Sequence, residues 1–246
     1  MKYGILFLTA ALLMAVYASR QGGWMLLMLW PAASFGLVGL AYLFFGPRLF
    51  GKQADGTLRQ TRVLLLLPYL GYLWTIWHAL RLVKREPAFN QLSDRLLIGR
   101  RLLAGELPDE VDVVLDLTCE FPEPASIRSR EYRSFPILDG FVPEEEQLPA
   151  WVNEACQLPG TLYIHCAEGH GRTGLFAALM LLASGQASTP EEALRFIRSR
   201  RPGVRLGSRQ LQCLRNVHAA QASGIPAAGQ QSAGPDRTSA ALPPAS

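Results

Sequence analysis

Residues 165–174 read HCAEGHGRTG, and this stretch with its two flanking segments is the strongest indicator of the fold class. The segment Thr161 to His165 before it predicts a β-strand, and the mostly apolar segment Arg172 to Ser184 after it predicts a buried helix. A strand that runs through a glycine-rich loop into a helix directs backbone N–H groups and the helix N-terminus into one concavity. The sequence therefore predicts an anion-binding loop inside an α/β domain.

Cys166 opens this loop and Arg172 closes it. The loop amides and the helix dipole stabilise a thiolate, so we expect the pKa of Cys166 to lie below the roughly 8.5 of an ordinary thiol. Arg172 offers a planar fork that matches two phosphate oxygens. A thiolate beside such an anion site disfavours the alternative of an inert buried thiol.

The flanking segments read as the rest of an α/β domain. Val111 to Leu117 alternates and is β-branched, which predicts a second strand. Thr189 to Glu192 forms a capping box that starts a helix ending before Pro202, and Gln210 to Ala222 predicts the last helix. A further helix opens at Pro143 with acids in its first turn, and its predicted apolar face comprises Leu148, Trp151, Val152, Ala155 and Cys156.

The stretch at 165–174 resembles the signature of the cysteine-dependent protein tyrosine phosphatase superfamily, in its compact dual-specificity branch. That signature is His-Cys, five residues, Arg, then Ser or Thr. The resemblance extends over about residues 90–220, through Leu97–Gly99, Val113–Thr118, Phe135–Asp139 and Arg201–Val204. It implies an α/β fold, a dual-specificity phosphatase-like domain with a central mixed sheet flanked by helices, here preceded by an α-helical membrane region.

The resemblance also implies roles for individual residues. Cys166 is expected to attack phosphorus, Asp139 to act as general acid and then general base, and Thr173 to hydrogen-bond the departing thiolate. His165 is expected to order the loop, and Gln210 to position the water. The substrate-binding set comprises Ala167, Glu168, Gly169, His170, Gly171 and Arg172. The resemblance implies no cofactor and no metal.

Several of these assignments have alternatives. Asp139 is also a plausible turn residue, because Asp-Gly is a strong turn dipeptide, and Glu131 and Asp116 compete with it as the acid. Cys119 is either structural or the partner of Cys166 in a reversible disulfide that protects the nucleophile. The two other cysteines, Cys156 and Cys213, lie on apolar helix faces and are expected in the core.

Three apolar runs precede this domain, at residues 3–19, 24–45 and 63–80. The second is long enough to cross a bilayer, the first is at the short limit, and a cleaved signal peptide is its alternative. The third either spans or lies in the interface. If the third run lies in the interface, Arg20 is on one side of the membrane and the other basic residues flanking the runs are on the other side. This arrangement satisfies the positive-inside rule better than three spans do.

These runs define the expected organisation of the chain. We expect two transmembrane helices in residues 1–45, a basic loop at 46–62, a third apolar helix at 63–85, a catalytic domain at 88–222 and a disordered tail at 223–246. The catalytic domain is long enough to bury a core alone, so we expect the membrane region to be an anchor rather than part of the fold.

The net charge of +4 divides unevenly along the chain. Residues through Val83 carry seven basic and one acidic side chain, whereas the remainder carries 17 basic and 19 acidic ones. The basic excess therefore flanks the apolar runs and predicts a membrane protein rather than a nucleic-acid binder. By the positive-inside rule, this basic excess predicts that the catalytic domain lies on the cytoplasmic side of the membrane. The ratio of 21 Arg to 3 Lys suits a bacterial inner-membrane protein.

The expected substrate is a phosphoprotein carrying phosphate on Tyr, Ser or Thr, and the alternative is a phospholipid of the phosphatidylglycerophosphate or phosphoinositide type. Glu168 inside the loop should repel a polyanionic headgroup, whereas the membrane anchor favours a lipid. A non-catalytic phosphate-binding protein is disfavoured by the intact Cys166, Arg172 and Thr173.

Overall fold

The computed structural model describes residues 2–143 and 147–222 of the chain. Its N-terminal part is helical: α1 covers Lys2–Gln21, α2 covers Leu29–Leu40 and α3 covers Gln60–Val83. Short 3₁₀ and π-helical turns extend α2 on both sides, from Gly23 to Phe50. The helices α1, Gly23–Phe50 and α3 are long and apolar enough to cross a membrane.

The domain that the sequence predicts to be catalytic, called the catalytic domain below, contains the strands β1 Phe89–Ser93, β2 Leu96–Arg100, β3 Val113–Thr118, β4 Glu131–Ile137 and β5 Leu162–Cys166. They form a five-stranded sheet of order β1-β2-β5-β3-β4. Only the β1–β2 pair is antiparallel; the other three pairs are parallel. A mixed sheet flanked by helices confirms the expected fold class.

Five helices pack around this sheet, namely α4 Ala125–Arg128, α5 Gln147–Gln157, α6 Gly171–Ala183, α7 Pro190–Arg200 and α8 Ser208–Ala222. The central helix α6 is buried along most of its length, as its apolar sequence predicts. The predicted cap of α7 is present, since the Glu192 N–H donates to Thr189 Oγ1 at 3.2 Å. Residues 144–146 and the predicted tail at 223–246 lie outside the described residues.

One core prediction is wrong. Cys156 is exposed, because the buried face of α5 runs through Leu148, Val152 and Ala155, and the next position turns away from it. The other predicted core cysteine, Cys213, is half-buried and packs against the main hydrophobic cluster.

The N-terminal helices and the catalytic domain share a hydrophobic cluster. Cys119 and Leu138 of the catalytic domain belong to the same buried cluster as Tyr42, Tyr69 and Leu70 of the N-terminal helices. The N-terminal region therefore completes the buried surface of the catalytic domain, which differs from the expectation that it is only an anchor.

Candidate active site

The loop between β5 and α6 forms the floor of the candidate site. Cys166 ends β5 with only 3% of its surface exposed. The Gly169 N–H points back at the thiol and lies 3.3 Å from Sγ, in the geometry that stabilises a thiolate. Gly169 has φ +72°, and a Cβ there would collide with the Gly99 carbonyl. The loop therefore needs glycine at this position to close over the cysteine.

The carbonyl groups of this loop are held on its outer side. Arg201 donates from Nε to the Gly169 carbonyl at 2.9 Å and from Nη2 to the Glu168 carbonyl at 3.1 Å. The Arg101 N–H donates to the Ala167 carbonyl at 3.2 Å. Because the N–H and C=O of one peptide point in opposite directions, outward carbonyls turn the following N–H groups inward. The loop is thus lined with donors for an oxyanion.

Arg172 is held in a planar ion pair that the sequence analysis missed. Its guanidinium donates to both carboxylate oxygens of Glu120, at 2.7 and 3.0 Å, and to the Ile137 carbonyl at 2.8 Å. Burial alone would raise the pKa of Glu120, but the Arg172 charge and the hydrogen bonds outweigh it and hold that pKa below its ordinary value. Glu120 therefore remains an anion and fixes the plane of the guanidinium.

Of the three acids considered, the structure brings Asp139 to the loop. Its side chain is 73% exposed, and Oδ1 lies 3.5 Å from Nη2 of Arg172. Asp116 is fully buried and pairs with Lys52 at 2.6 Å, away from solvent. Glu131 begins β4, at the sheet edge opposite the carboxyl ends of the parallel strands. Asp139 alone of these combines solvent access with proximity to Arg172.

Two supporting residues also lie against the loop. Thr173 is buried, and its hydroxyl has no hydrogen-bond partner among the described residues. The buried Gln210 lies over Gly171, where a Cβ would come within 3.1 Å of its Oε1, and it accepts the Gly207 N–H at 3.0 Å. The fold therefore gathers both predicted residues at the C-terminal side of the loop.

Two polar side chains of the loop, Glu168 and His170, contact the segment that follows α3. Glu168 forms an ion pair with Lys84, and His170 Nε2 lies 2.7 Å from Glu86. The negative charge of Glu168 is therefore compensated by a neighbouring ammonium. Because Lys84 pairs with Glu168, repulsion of an anionic headgroup by Glu168 is reduced.

A buried polar group lies behind the loop. His165 has its ring stacked on Tyr163, and burial lowers its pKa to about 4, so the imidazole is neutral at pH 7. Asp116, Glu123 and His165 place three potential metal-ligand atoms within 4.8 Å of one another. Lys52 pairs with Asp116 at 2.6 Å, and Arg101 Nε lies 3.3 Å from Glu123, whose pKa is raised to about 8 by burial and by the Asp116 charge.

Cys119 lies in a different environment from Cys166. Its thiol donates to Glu120 Oε2 at 3.3 Å, and burial together with the Glu120 charge raises its pKa well above the ordinary value. A disulfide with Cys166 stays a prediction. Mild peroxide treatment followed by mass spectrometry tests it, since the absence of a 119–166 crosslink would remove the redox role.

The N-terminal helices border the mouth of the site. The Trp74 indole N–H donates to the Glu120 carbonyl at 3.0 Å. The ring of Phe141, two residues after Asp139, packs edge-on against Tyr42 with centroids 6.1 Å apart. The ring of Tyr3 lies so close to Gly140 that a Cβ there would come within 3.3 Å of it. The Asp139 loop therefore sits directly on the apolar helices.

Comparison with known proteins agrees with this geometry. The family model PTP-SAK, described as "Swiss Army Knife protein, DSP-PTPase phosphatase domain", matches residues 104–224. The chain is 32% identical over 131 residues to the predicted tyrosine phosphatase 197R of Invertebrate iridescent virus 6, covering 45% of this chain and 47% of that protein. It is 35% identical over 85 residues to protein tyrosine phosphatase type IVA 3 of Bos taurus, covering 32% of this chain and 47% of that protein.

The fold has a counterpart among solved structures. The crystal structure of PTPMT1 in complex with PI(5)P aligns with a TM-score of 0.50 at 21% identity, over 56% of this chain and 99% of that chain. This likeness shows the fold. The chain spans about half the length of the curated relatives that it matches, 47% in each case.

Proposed function

We propose that this chain, whose residues 104–224 match a DSP-PTPase phosphatase family model, is a member of the cysteine-dependent protein tyrosine phosphatase superfamily and hydrolyses phosphomonoesters through a cysteinyl-phosphate intermediate. The observation that carries the proposal is the loop itself. Cys166 and Arg172 stand at its two ends, and inward N–H groups line the space between them. Such a cradle matches the charge that develops on the equatorial oxygens of a transferring phosphoryl group.

The first half of the reaction transfers the phosphoryl group to sulfur. The Cys166 thiolate attacks phosphorus in line, the S–P bond forms, and the bond from phosphorus to the leaving oxygen breaks. Asp139 donates its proton to that oxygen. Arg172, held flat by Glu120, and the loop amides bind the three remaining oxygens.

The second half releases phosphate. The Asp139 carboxylate takes a proton from a water molecule positioned by Gln210, the water oxygen attacks phosphorus, and the S–P bond breaks. The departing thiolate is stabilised by the Gly169 N–H and by the buried Thr173 hydroxyl. Phosphate then leaves, and no external co-reactant besides water is needed.

Asp139→Asn is expected to lower kcat by about 10²–10⁴-fold, because an amide donates no proton to the leaving oxygen. The loss should be larger for phenyl phosphate than for p-nitrophenyl phosphate, whose leaving group departs readily as an anion. Steady-state hydrolysis of both esters by the full chain in detergent measures the effect. The matched control is Glu131→Gln, an exposed carboxylate at the other end of the sheet, which should keep wild-type rates. Equal losses on both esters would contradict the role of Asp139.

We further propose that α1 and Gly23–Phe50 cross the membrane and that α3 lies in the interface. The backbone just before α3 is bound to the catalytic domain, since Glu123 N–H donates to the Gly56 carbonyl at 2.9 Å. Near its other end, Arg81 pairs with Glu106 of the same domain. A 24-residue helix is about 36 Å long, so a spanning α3 would need these two ends on opposite sides of the bilayer.

This arrangement carries a prediction for site-directed labelling in a Cys156→Ser background. With a membrane-impermeant maleimide, Gln21→Cys at the last residue of α1 should react in intact spheroplasts. Ala54→Cys in the exposed loop before α3 should react only after permeabilisation, because the positive-inside rule places that loop in the cytoplasm. Reaction of Ala54→Cys from outside would overturn the proposed orientation.

For the substrate, the contact between the Asp139 loop and the apolar helices favours a phospholipid monoester. A lipid headgroup in the membrane reaches the site without leaving the interface, and the Lys84–Glu168 pair reduces repulsion of its phosphate. A phosphoprotein is the second candidate. Rates with phosphatidylglycerophosphate in mixed micelles and with phosphotyrosine peptides decide between them. A higher kcat/KM on peptides would reject the lipid preference and leave the phosphatase proposal intact.

A further inference from the structure

The indole group of Trp77 connects helix α3 to the phosphate-binding loop. Trp77 is 3% exposed, and its Nε1–H donates to the Ala167 carbonyl at 2.9 Å. Its ring is fixed on several sides, with the Phe121 centroid at 5.5 Å and the Arg101 guanidinium at 5.4 Å. Trp77 lies outside the segment that the phosphatase family model matches. This hydrogen bond therefore reaches the loop from outside that segment.

The bonded carbonyl belongs to the first peptide after the nucleophile. With the Ala167 oxygen held outward, the Glu168 N–H of the same peptide points inward, beside Cys166. The next two carbonyls along the loop are held by Arg201, on the catalytic domain. The first peptide depends instead on Trp77 and on the Arg101 backbone.

The same peptide is tethered to the α3 region a second time. Lys84, directly after α3, forms an ion pair with the Glu168 side chain. The carbonyl of the Ala167–Glu168 peptide is thus held by Trp77, and the side chain that follows it is held by Lys84. Two contacts from one short segment therefore limit the rotation of this peptide about its flanking bonds.

We propose that Trp77 is a positioning residue for the reaction, which fixes the Ala167–Glu168 peptide so that the Glu168 N–H faces the bound phosphoryl group. This inference rests on the proposed function. It makes the geometry of the phosphate cradle depend on how α3 is seated at the membrane surface. An α3 displaced from the domain leaves the first loop peptide with the Arg101 N–H but without the indole, so its own N–H is directed less firmly at the oxyanion.

Trp77→Phe in the full chain tests the inference, because phenylalanine keeps an aromatic ring in the pocket and removes the N–H donor. One hydrogen bond is worth about 1 kcal/mol, so we expect inorganic vanadate and phosphate to inhibit roughly 5-fold more weakly. We expect kcat for p-nitrophenyl phosphate to fall by a similar factor, while KM changes less. The matched control is Trp24→Phe, 74% exposed and remote from the loop, which should leave both values unchanged.

A second variant separates positioning from folding. Lys84→Met removes the other tether at a side chain that is 43% exposed, and it should weaken vanadate inhibition with little change in thermal unfolding. If both variants keep wild-type vanadate inhibition, or if Trp77→Phe only lowers the unfolding temperature, the positioning role is wrong. If the wild-type chain itself hydrolyses no phosphomonoester, the proposed function fails instead.

Discussion

Cys166→Ser should abolish turnover, with kcat reduced by roughly 10⁴-fold or more, as for nucleophile replacements in other covalent enzymes. Serine has nearly the shape of cysteine, so the loop and its donors should stay in place. Its hydroxyl is not ionised near neutral pH, however, and the inward amides that stabilise a thiolate cannot make it a comparable nucleophile. Hydrolysis of p-nitrophenyl phosphate by the full chain in detergent is the measurement.

Two controls make this result specific. The exposed Cys156 is the matched site, and Cys156→Ser should keep wild-type activity. The Cys166→Ser variant should still bind inorganic phosphate, because Arg172 and the loop amides remain. Full activity in Cys166→Ser would end the covalent mechanism.

Lys52→Met is the substitution with the largest expected effect on stability, a loss of about 3–5 kcal/mol, because it leaves a buried carboxylate without its cation. Lys52 lies between the N-terminal helices, yet its ammonium is buried against Asp116 of strand β3 at 2.6 Å and also donates to the Phe121 carbonyl at 2.5 Å. The measurement is the free energy of unfolding of the detergent-solubilised chain, from denaturant titration.

The Asp116 carboxylate also makes this stability depend on pH. Burial alone would raise its pKa, but the Lys52 charge and the hydrogen bonds outweigh it and hold the pKa below the ordinary value. A group with a lowered folded-state pKa contributes its full stability above the unfolded-state pKa and loses it as the pH falls. Wild-type stability should therefore exceed that of Lys52→Met most clearly at neutral pH, and the difference should shrink in acid.

The same substitution at Lys84 is the control for Lys52→Met. The Lys84–Glu168 pair is partly exposed, so Lys84→Met should cost about 1 kcal/mol or less. Adding Asp116→Asn to Lys52→Met should restore part of the loss, because it removes the uncompensated charge. An unfolding free energy for Lys52→Met equal to that for Lys84→Met would show that the buried pair contributes little. A chain truncated before the catalytic domain should lose more stability than Lys52→Met does, because it also exposes the shared hydrophobic cluster.

The features of this protein that can be predicted from the sequence alone are those formed by residues close together along the chain. The strand, the glycine-rich loop and the buried helix at 161–184 are encoded in one continuous segment, and so is the placement of Cys166 and Arg172 at the two ends of the loop. The capping box before α7 was equally local. These features follow from backbone geometry and apolar periodicity over a few residues, which a single sequence displays.

The side chains that complete the site from distant parts of the sequence can be identified only in the folded chain. Glu120 meets Arg172 across 52 positions, Trp77 meets Ala167 across 90, and Lys52 meets Asp116 across 64. None of these pairs has a spacing or composition that marks it, because burial and charge compensation are properties of the packed chain. The N-terminal apolar runs predict membrane-spanning helices. Their packing against the catalytic domain, which makes them part of its fold, appears only in three dimensions.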